Sequence, residues 1–299
     1  MAVAAFIPQI WSARFTDKLR DALVWGSVMN SAYEGDITAA GDTVKIPTST
    51  TTITVRDYTE STDIADAEEA DGTTQDLLID KQKYFHFYVD DIEEAQTRPN
   101  TMDDAMGEAA FQMANAQDND YRTTITGGFN ASRDTAVSVA LDAADDAYDI
   151  ALLKAFTQTG LAMDEANVPQ EDRWGIVSPF LRKRLTDRFA ISGNGAGVYV
   201  PATAEQTLRN GFIGNLLGFR LMVTNKVPEI TTGSGQSQVT SDRFFLGQGT
   251  SASTRAEQLV SIEAYRPERR FGDAVKGLRV YGSKLVHPSR IFTITARTQ

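Results

Sequence analysis

The residue types in this chain that could do chemistry are two histidines, a glycine-rich loop, an acidic run and a basic stretch near the end. His86 lies in "KYFHFYV" and His287 precedes Pro288 in "LVHPSR". A zinc site needs three or four ligands converging on one ion, and neither histidine has an H-E-x-x-H partner or acids at metal spacing. A serine hydrolase would have to use one of the two as its base, and nothing anchors either to a serine. Both histidines are therefore read as structural. Gly193, Gly195 and Gly197 follow G-x-G-x-G spacing, with Val198 where a third fingerprint glycine belongs. Without a strand-to-helix turn around them, a pyrophosphate would lack its helix N-terminus, so the segment is read as a loop. Neither G-x-x-x-x-G-K-[ST] nor G-x-S-x-G occurs, which leaves a P-loop and a nucleophile elbow unsupported.

The charged stretches fare no better as sites. Asp57 to Asp80 holds nine acids and no Lys or Arg, but lacks the alternating oxygens of a calcium loop. Its acids read as solvated loop charges. Glu93/Glu94 and Asp103/Asp104 are neighbours in sequence and point in different directions, which makes them weak acid–base pairs. The four bases of "FLRKRLTDR" form a solvated face over Phe180, Leu181 and Leu185. The stretch "RRFGDAVKGLRVYGSKLVHPSR", Arg269 to Arg290, could grip phosphates, yet it belongs to a chain of net charge −11. No catalytic residue, cofactor or metal is expected, and the chain reads as a protein that is not an enzyme.

Composition narrows the class. The 299 residues are 41% hydrophobic and 23% charged, as in a folded chain and unlike a disordered one. With no cysteine, disulfides and thiol chemistry are excluded, which fits a reducing cytoplasm. No apolar run is long enough for a membrane span, and "MAVAAFIPQIW" lacks a basic leader region. Charge is uneven along the chain. Residues 1–150 carry 10 Lys+Arg against 28 Asp+Glu, residues 151–265 carry 11 against 10, and residues 266–299 carry 8 against 2. Such a gradient steers opposite ends of neighbouring copies together.

The elements that would position these residues follow from periodicity. Phe15, Leu19, Ala22 and Leu23 predict a short helix in an N-terminal arm. Val44/Ile46 and Ile53/Val55 alternate as a strand. After the acidic run, "KQKYFHFYVDD" predicts a strand with Phe85, Phe87 and Val89 on one face and Tyr84, His86 and Tyr88 on the other. These two strands and their acidic connection read as an extended β-arm. A lone two-stranded ribbon is marginal in water, so the arm needs a neighbour to lie on. A long helix then starts at a Thr101/Asp104 capping box and carries Met102, Met106, Ala109 and Met113 in one stripe. A second helix spans "DAYDIALLKAFTQTGLAMDEA". A strand "WGIVS" leads through the N-cap Ser178 into a helix with Leu181/Leu185. "GNLLGFRLMVTNKVPE" reads as a strand ending at a turn, "TGSGQSQ" as a loop, and most of the chain from Leu259 onward as strand.

In this order the parts resemble the major capsid proteins of tailed bacteriophages, with the Hong Kong 97-type fold. "WGIVSPFLRKRL" resembles the strand–Ser-Pro–helix unit of that family's axial domain. "GNLLGFRLMVTNKVP" resembles a recurring strand, and "RRFGDAVKGLRVYGSKLVHPSRI" resembles the C-terminal segment of the peripheral domain. The resemblance implies an α+β fold with an N-terminal arm (1–42) and an extended loop (43–92). It places the spine helix and first part of the peripheral domain at 93–144, the axial domain at 145–258 and C-terminal peripheral strands at 259–299. It further implies a shell subunit that assembles as pentamers and hexamers around double-stranded DNA, without reading DNA sequence. Partners would be other copies of the chain, a separate scaffolding protein, a portal and a decoration protein, in a virion and away from any membrane. Alternatives are an encapsulin-like shell or a hydrolase without a recognisable motif. Inter-subunit contacts are expected at Arg56, Asp66, Glu68, Glu69, Lys81, Lys83, Arg269, Arg270 and Lys276, with basic residues meeting acidic neighbours. Crosslinking through Lys81 or Lys83 is not expected, because no partner asparagine or catalytic glutamate stands out.

Overall fold

The computed structural model describes residues 24–32, 43–49, 55–58, 60, 63, 66, 72–90, 101–137, 145–191, 215–232, 239–249, 252–269 and 271–297. The expected helix around Phe15–Leu23, the strand position Ile53, the Gly193–Gly197 loop, and Glu68, Glu69 and Arg270 lie outside these residues.

The ribbon comes first. Strand β1 (Thr43–Ser49) pairs antiparallel with β2 (Gly72–Leu78), from Thr43 opposite Leu78 to Ser49 opposite Gly72. This corrects the expected arm, in which "KQKYFHFYVDD" was the second strand. The partner strand lies inside the acidic run. In "GTTQDLL" the outward positions Thr74, Asp76 and Leu78 are exposed while Leu77 is buried, so a single apolar side chain carries the inward face. The inward–outward alternation is there, but its polar face makes it read as loop.

The segment "KQKYFHFYVD" is strand β3 (Lys81–Asp90), and it joins a three-stranded antiparallel sheet of order β10 (Ser253–Tyr265), β11 (Gly272–Leu285), β3. Its predicted alternation holds, because Val89 is buried and Phe85 and Phe87 are half-buried, whereas Tyr84 and His86 are exposed. Helix α1 (Thr101–Gly128) lies on this sheet, about 42 Å long at 1.5 Å per residue. Its buried stripe is Met106, Ala110, Met113 and Ala114, continuing through Gln117, Asp118, Tyr121 and Ile125. Ala110, not the expected Ala109, follows Met106 on the buried face, since i,i+4 spacing keeps to one side of a helix.

The remaining strands form a seven-stranded sheet of order β4 (Asp134–Ala136), β12 (Ile291–Arg297), β9 (Val239–Gln248), β5 (Arg173–Val177), β7 (Phe219–Val223), β6 (Asn215–Leu216), with β8 (Glu229–Thr232) also paired to β9. Strand β5 is buried along its whole length, as a strand covered on both faces must be. β6 and β7 form a tight hairpin whose two turn residues, Leu217 and Gly218, have φ of 51° and 86°, as a type I′ turn requires. Sequence reading missed β9. Its buried "FFL" run lacks alternation because both of its faces are covered, and it follows the glycine-containing stretch "TGSGQSQ". Helices α2 (Asp145–Glu165) and α3 (Pro179–Ile191) fall where expected. Ser178 Oγ accepts the Leu181 N–H at 3.4 Å as N-cap, and Leu181 and Leu185 are buried. Arg184 Nε donates to Asp149 at 3.0 Å and its guanidinium sits over the Tyr148 ring, joining α3 to α2.

Residues 24–30 stitch the two sheets together. Trp25 is fully buried, and its ring meets the Phe245 edge at 5.5 Å. Asn30 exchanges backbone hydrogen bonds with Ser253 and Arg255 at the start of β10. A large core runs through α1, α2 and the seven-stranded sheet, while a smaller one joins the ribbon to β10 and β11.

Candidate assembly surfaces

The ribbon is rooted on β11. Val44, Ile46, Leu77 and Ile79 form the smaller core with Ala256, Val280 and Val286. Lys284 Nζ donates to the Asp76 carbonyl at 2.8 Å, and Gln75 Nε2 to that of Val286 at 3.4 Å. Gly282 lies under this crossing, where a Cβ would stand 2.3 Å from the Leu78 carbonyl oxygen. Two backbones cross closely at this glycine. Seven residue pairs extend the ribbon from there, roughly 23 Å. Beyond them, Val55 is 94% and Tyr58 72% exposed, beside the acids Asp57, Glu60, Asp63 and Asp66.

Between α1 and the three-stranded sheet lies a buried polar seam. Glu257 on β10 binds Arg255 and Arg279 and accepts the Tyr121 hydroxyl at 2.7 Å. Gln117 Nε2 donates to that hydroxyl oxygen at 2.6 Å. Tyr281 donates to Asp120 at 2.5 Å, Lys83 pairs with Asp120 at 3.4 Å, and Thr124 meets Ser283 at 2.8 Å. Burial alone would raise the Glu257 carboxyl, but Arg279 and Arg255 outweigh it and hold it below the usual carboxylate range. Burial and the Glu257 carboxylate push the Tyr121 hydroxyl well up. Nearby, Asp118 accepts the N–H groups of Trp25 (2.7 Å) and Gly26 (3.4 Å) and pairs with Lys226 at 3.4 Å. Burial still leaves its carboxyl above the ordinary range.

The sheet face turned away from α1 is open over part of its length. Tyr84, His86, Tyr265, Lys276 and Leu278 line a shallow hollow of about 390 Å³ there. His86 Nε2 lies 2.8 Å from the Tyr265 hydroxyl, with the two rings stacked. Tyr84 is 77% exposed, and Phe271, just before β11, 80%.

The expected contact residues divide between these surfaces. Arg56 and Asp66 are exposed near the ribbon's end, and Arg269 is exposed between β10 and β11. Lys81 and Lys83 are half-buried on β3, and Lys83 belongs to the seam. Lys276 already has an acidic partner in its own chain, Glu263 at 2.8 Å, which raises its pKa, and it lies over the Tyr265 ring. His287 sits at the start of a single 3-10 turn, its pKa lowered by partial burial and by Arg290. Among the described residues no three His, Cys, Asp or Glu stand together as metal ligands. No described helix is long and apolar enough to cross a membrane. Sequence reading missed the Glu257–Arg279 pair, since a lone arginine in an alternating strand reads as solvent-facing. It also missed Tyr265 and Phe271, whose exposure depends on which sheet face α1 covers.

The family model described as "Phage capsid protein" matches residues 72–294. A structure from Mycobacterium phage Che8 is 25% identical, covering 91% of this chain and 90% of its own, with a TM-score of 0.66. The capsid structure of cyanophage P-SCSP1u is 14% identical, covering 93% and 89%, with a TM-score of 0.67. The mature capsid of bacteriophage PhiM1 is 15% identical, covering 89% and 86%, with a TM-score of 0.64. No curated protein matches.

Proposed function

The chain belongs to the phage capsid protein family, and from that premise we propose how its parts build the shell it forms in the virion. It is a major capsid protein with the Hong Kong 97-type fold, and its copies associate with one another. The proposed units are the N-terminal arm 1–42, the extended loop 43–92, the spine helix and adjoining peripheral part 93–144, the axial domain 145–258 and the C-terminal peripheral strands 259–299. Subunits form pentamers and hexamers, and the shell encloses double-stranded DNA without base recognition. A net negative charge keeps that DNA from adhering to the wall, since a basic lining would release counterions and bind it. The role is structural, with no catalysis. A separate scaffolding protein, a portal and a decoration protein complete the particle, which is made in the host cytoplasm.

One observation carries the assembly reading: the ribbon is rooted at Gly282, while Val55 and Tyr58 further along the chain are 94% and 72% exposed. An arm built this way is covered by an adjacent copy. Arg56, Lys81, Lys83, Arg269, Arg270 and Lys276 then serve as contacts, with Asp66, Glu68 and Glu69 as the acidic side. Many weak contacts of this kind sum through effective concentration once a shell closes. The test is a triple substitution, Arg269→Ala, Arg270→Ala and Lys276→Ala. The expected result is a folded subunit whose shells are lost or become salt-sensitive. Shells unchanged at all ionic strengths would remove these three bases from the interface.

A further inference from the structure

We infer that the groove between α1 and the β7–β8 connection is the seat of residues 12–23 of the same chain, which lie against α1 before the chain enters the fold at Trp25. The inference concerns the single subunit and holds whatever shell it builds. Its starting point is the place of entry. The Trp25 N–H, at 2.7 Å, and the Lys226 ammonium, at 3.4 Å, meet on one carboxylate, that of Asp118. Lys226 Nζ also donates to the Asn115 carbonyl at 2.9 Å. Asn115 and Lys226 line a hollow of about 540 Å³, with Ala116, Asn119, Arg122, Val227 and Glu229. The residues before Trp25 therefore start at the rim of this groove.

The groove has two unmet needs. Phe111 is 53% exposed, and it shares a face with Asn115 and Arg122, because i, i+4 and i+11 bring a helix back to nearly one direction. Arg122 Nε is shielded from solvent and has no hydrogen-bond partner, a cost that an incoming acceptor removes. An occupant must bring an apolar stripe to Phe111, Ala116 and Val227, and a carboxylate to Arg122. Residues 12–23, "SARFTDKLRDAL", carry both. Phe15, Leu19, Ala22 and Leu23 recur at helical spacing. Asp21 stands just before the entry point and meets Arg122, one turn of α1 from Asp118, while Leu19 and Phe15 run on towards Phe111. As a helix the segment is about 18 Å long, more than the roughly 11 Å along α1 from Asp118 to Phe111. Its bases Arg14, Lys18 and Arg20 complement the exposed Glu108 and Glu229.

Thiol labelling of the unassembled full chain tests this, since the chain has no cysteine of its own. Asn115→Cys places one thiol in the groove, and Tyr84→Cys places one on the sheet face turned away from α1. The comparison is with the same chains carrying Phe15→Asp and Leu19→Asp, which spoil the stripe. The groove thiol should react with a bulky maleimide about tenfold more slowly in the parental background, and the Tyr84→Cys thiol equally in both. Equal rates at Asn115→Cys overturn the proposal. Protection that grows with protein concentration overturns it too, because the occupant is then another copy. If the stripe variant fails to fold, a charge exchange decides. Arg122→Glu should lose the protection, and Arg122→Glu with Asp21→Arg should regain it. Protection unmoved by Arg122→Glu, or not regained in the pair, overturns the proposal.

Discussion

Gly282 and Leu78 meet backbone to backbone: a Cβ on Gly282 would stand 2.3 Å from the Leu78 carbonyl oxygen and 3.0 Å from the Ile79 Cα. This is the point at which the ribbon crosses β11. The neighbours are main chain on the inner side of a paired strand, so they cannot swing away. Gly277, five residues earlier, faces a different obstacle. Its added Cβ would meet the Phe85 ring at 2.3 Å, and a half-buried ring can turn or slide.

The two glycines should therefore respond differently. Gly282→Ala is expected to cost about 1–3 kcal/mol by overpacking against a fixed backbone, and to loosen the ribbon. Gly277→Ala should cost less. Urea unfolding of both variants, with hydrogen exchange across residues 72–79, checks this. Equal costs with an unaltered ribbon would contradict the crossing.

Glu257 should be the seam's most sensitive residue. Glu257→Gln leaves Arg255 and Arg279 without their carboxylate, and removing one side of a buried charge cluster costs about 3–5 kcal/mol. Its folded pKa lies below the unfolded value. The stabilisation is therefore present above the unfolded pKa, about 4.3, and is lost as pH falls through the folded value. The gap between parent and variant should narrow on acidification over that window. A gap constant from neutral to strongly acid pH would show that the charge is not what matters.

Asp118 carries the opposite sign. Burial holds its folded pKa above the unfolded value of about 3.9, so its ionisation costs stability. The parent should lose stability as pH rises from below that value through the folded pKa. Asp118→Asn removes the titration, so its stability relative to the parent should rise with pH. Denaturant unfolding between pH 3 and 8 measures the difference, and a difference that is flat with pH would refute the assignment.

The ribbon's outer part should be dispensable for folding. Deleting residues 57–80 would strip Leu77 and Ile79 from the smaller core, so the informative deletion is narrower. Replacing residues 50–71 by Asn-Gly keeps β1 and β2 and closes them with a two-residue type I′ turn. The subunit should unfold with parental cooperativity and fail to form stable shells. Loss of cooperative folding would instead place residues 50–71 in the subunit's own core.

These residues also show how far the sequence could be read. The helices, β3 and the C-terminal strands were legible because each buries one face, and Met106/Met113, Phe85/Phe87 and Leu181/Leu185 print that face as a period. β2 was not, since Leu77 alone carries its inward side amid acids. β9 was not, since a strand covered on both faces has no alternation to print. The assembly surfaces were legible as charge alone. Lys276 and Arg269 stood out as bases, but the Lys276–Glu263 pair depends on β10–β11 register, which no local pattern encodes. Arg279 sits one residue from Leu278 and Val280, and only the placement of α1 decides that it faces inward.

The central claim is that this chain closes into a shell built of its own copies. Electron microscopy of the purified chain, alone and with its neighbouring gene products, tests it most directly, with sedimentation as the companion measurement. Closed icosahedral particles with five- and six-fold rings of subunits are expected. A folded chain that stays monomeric at every concentration and salt, with and without those gene products, would contradict it.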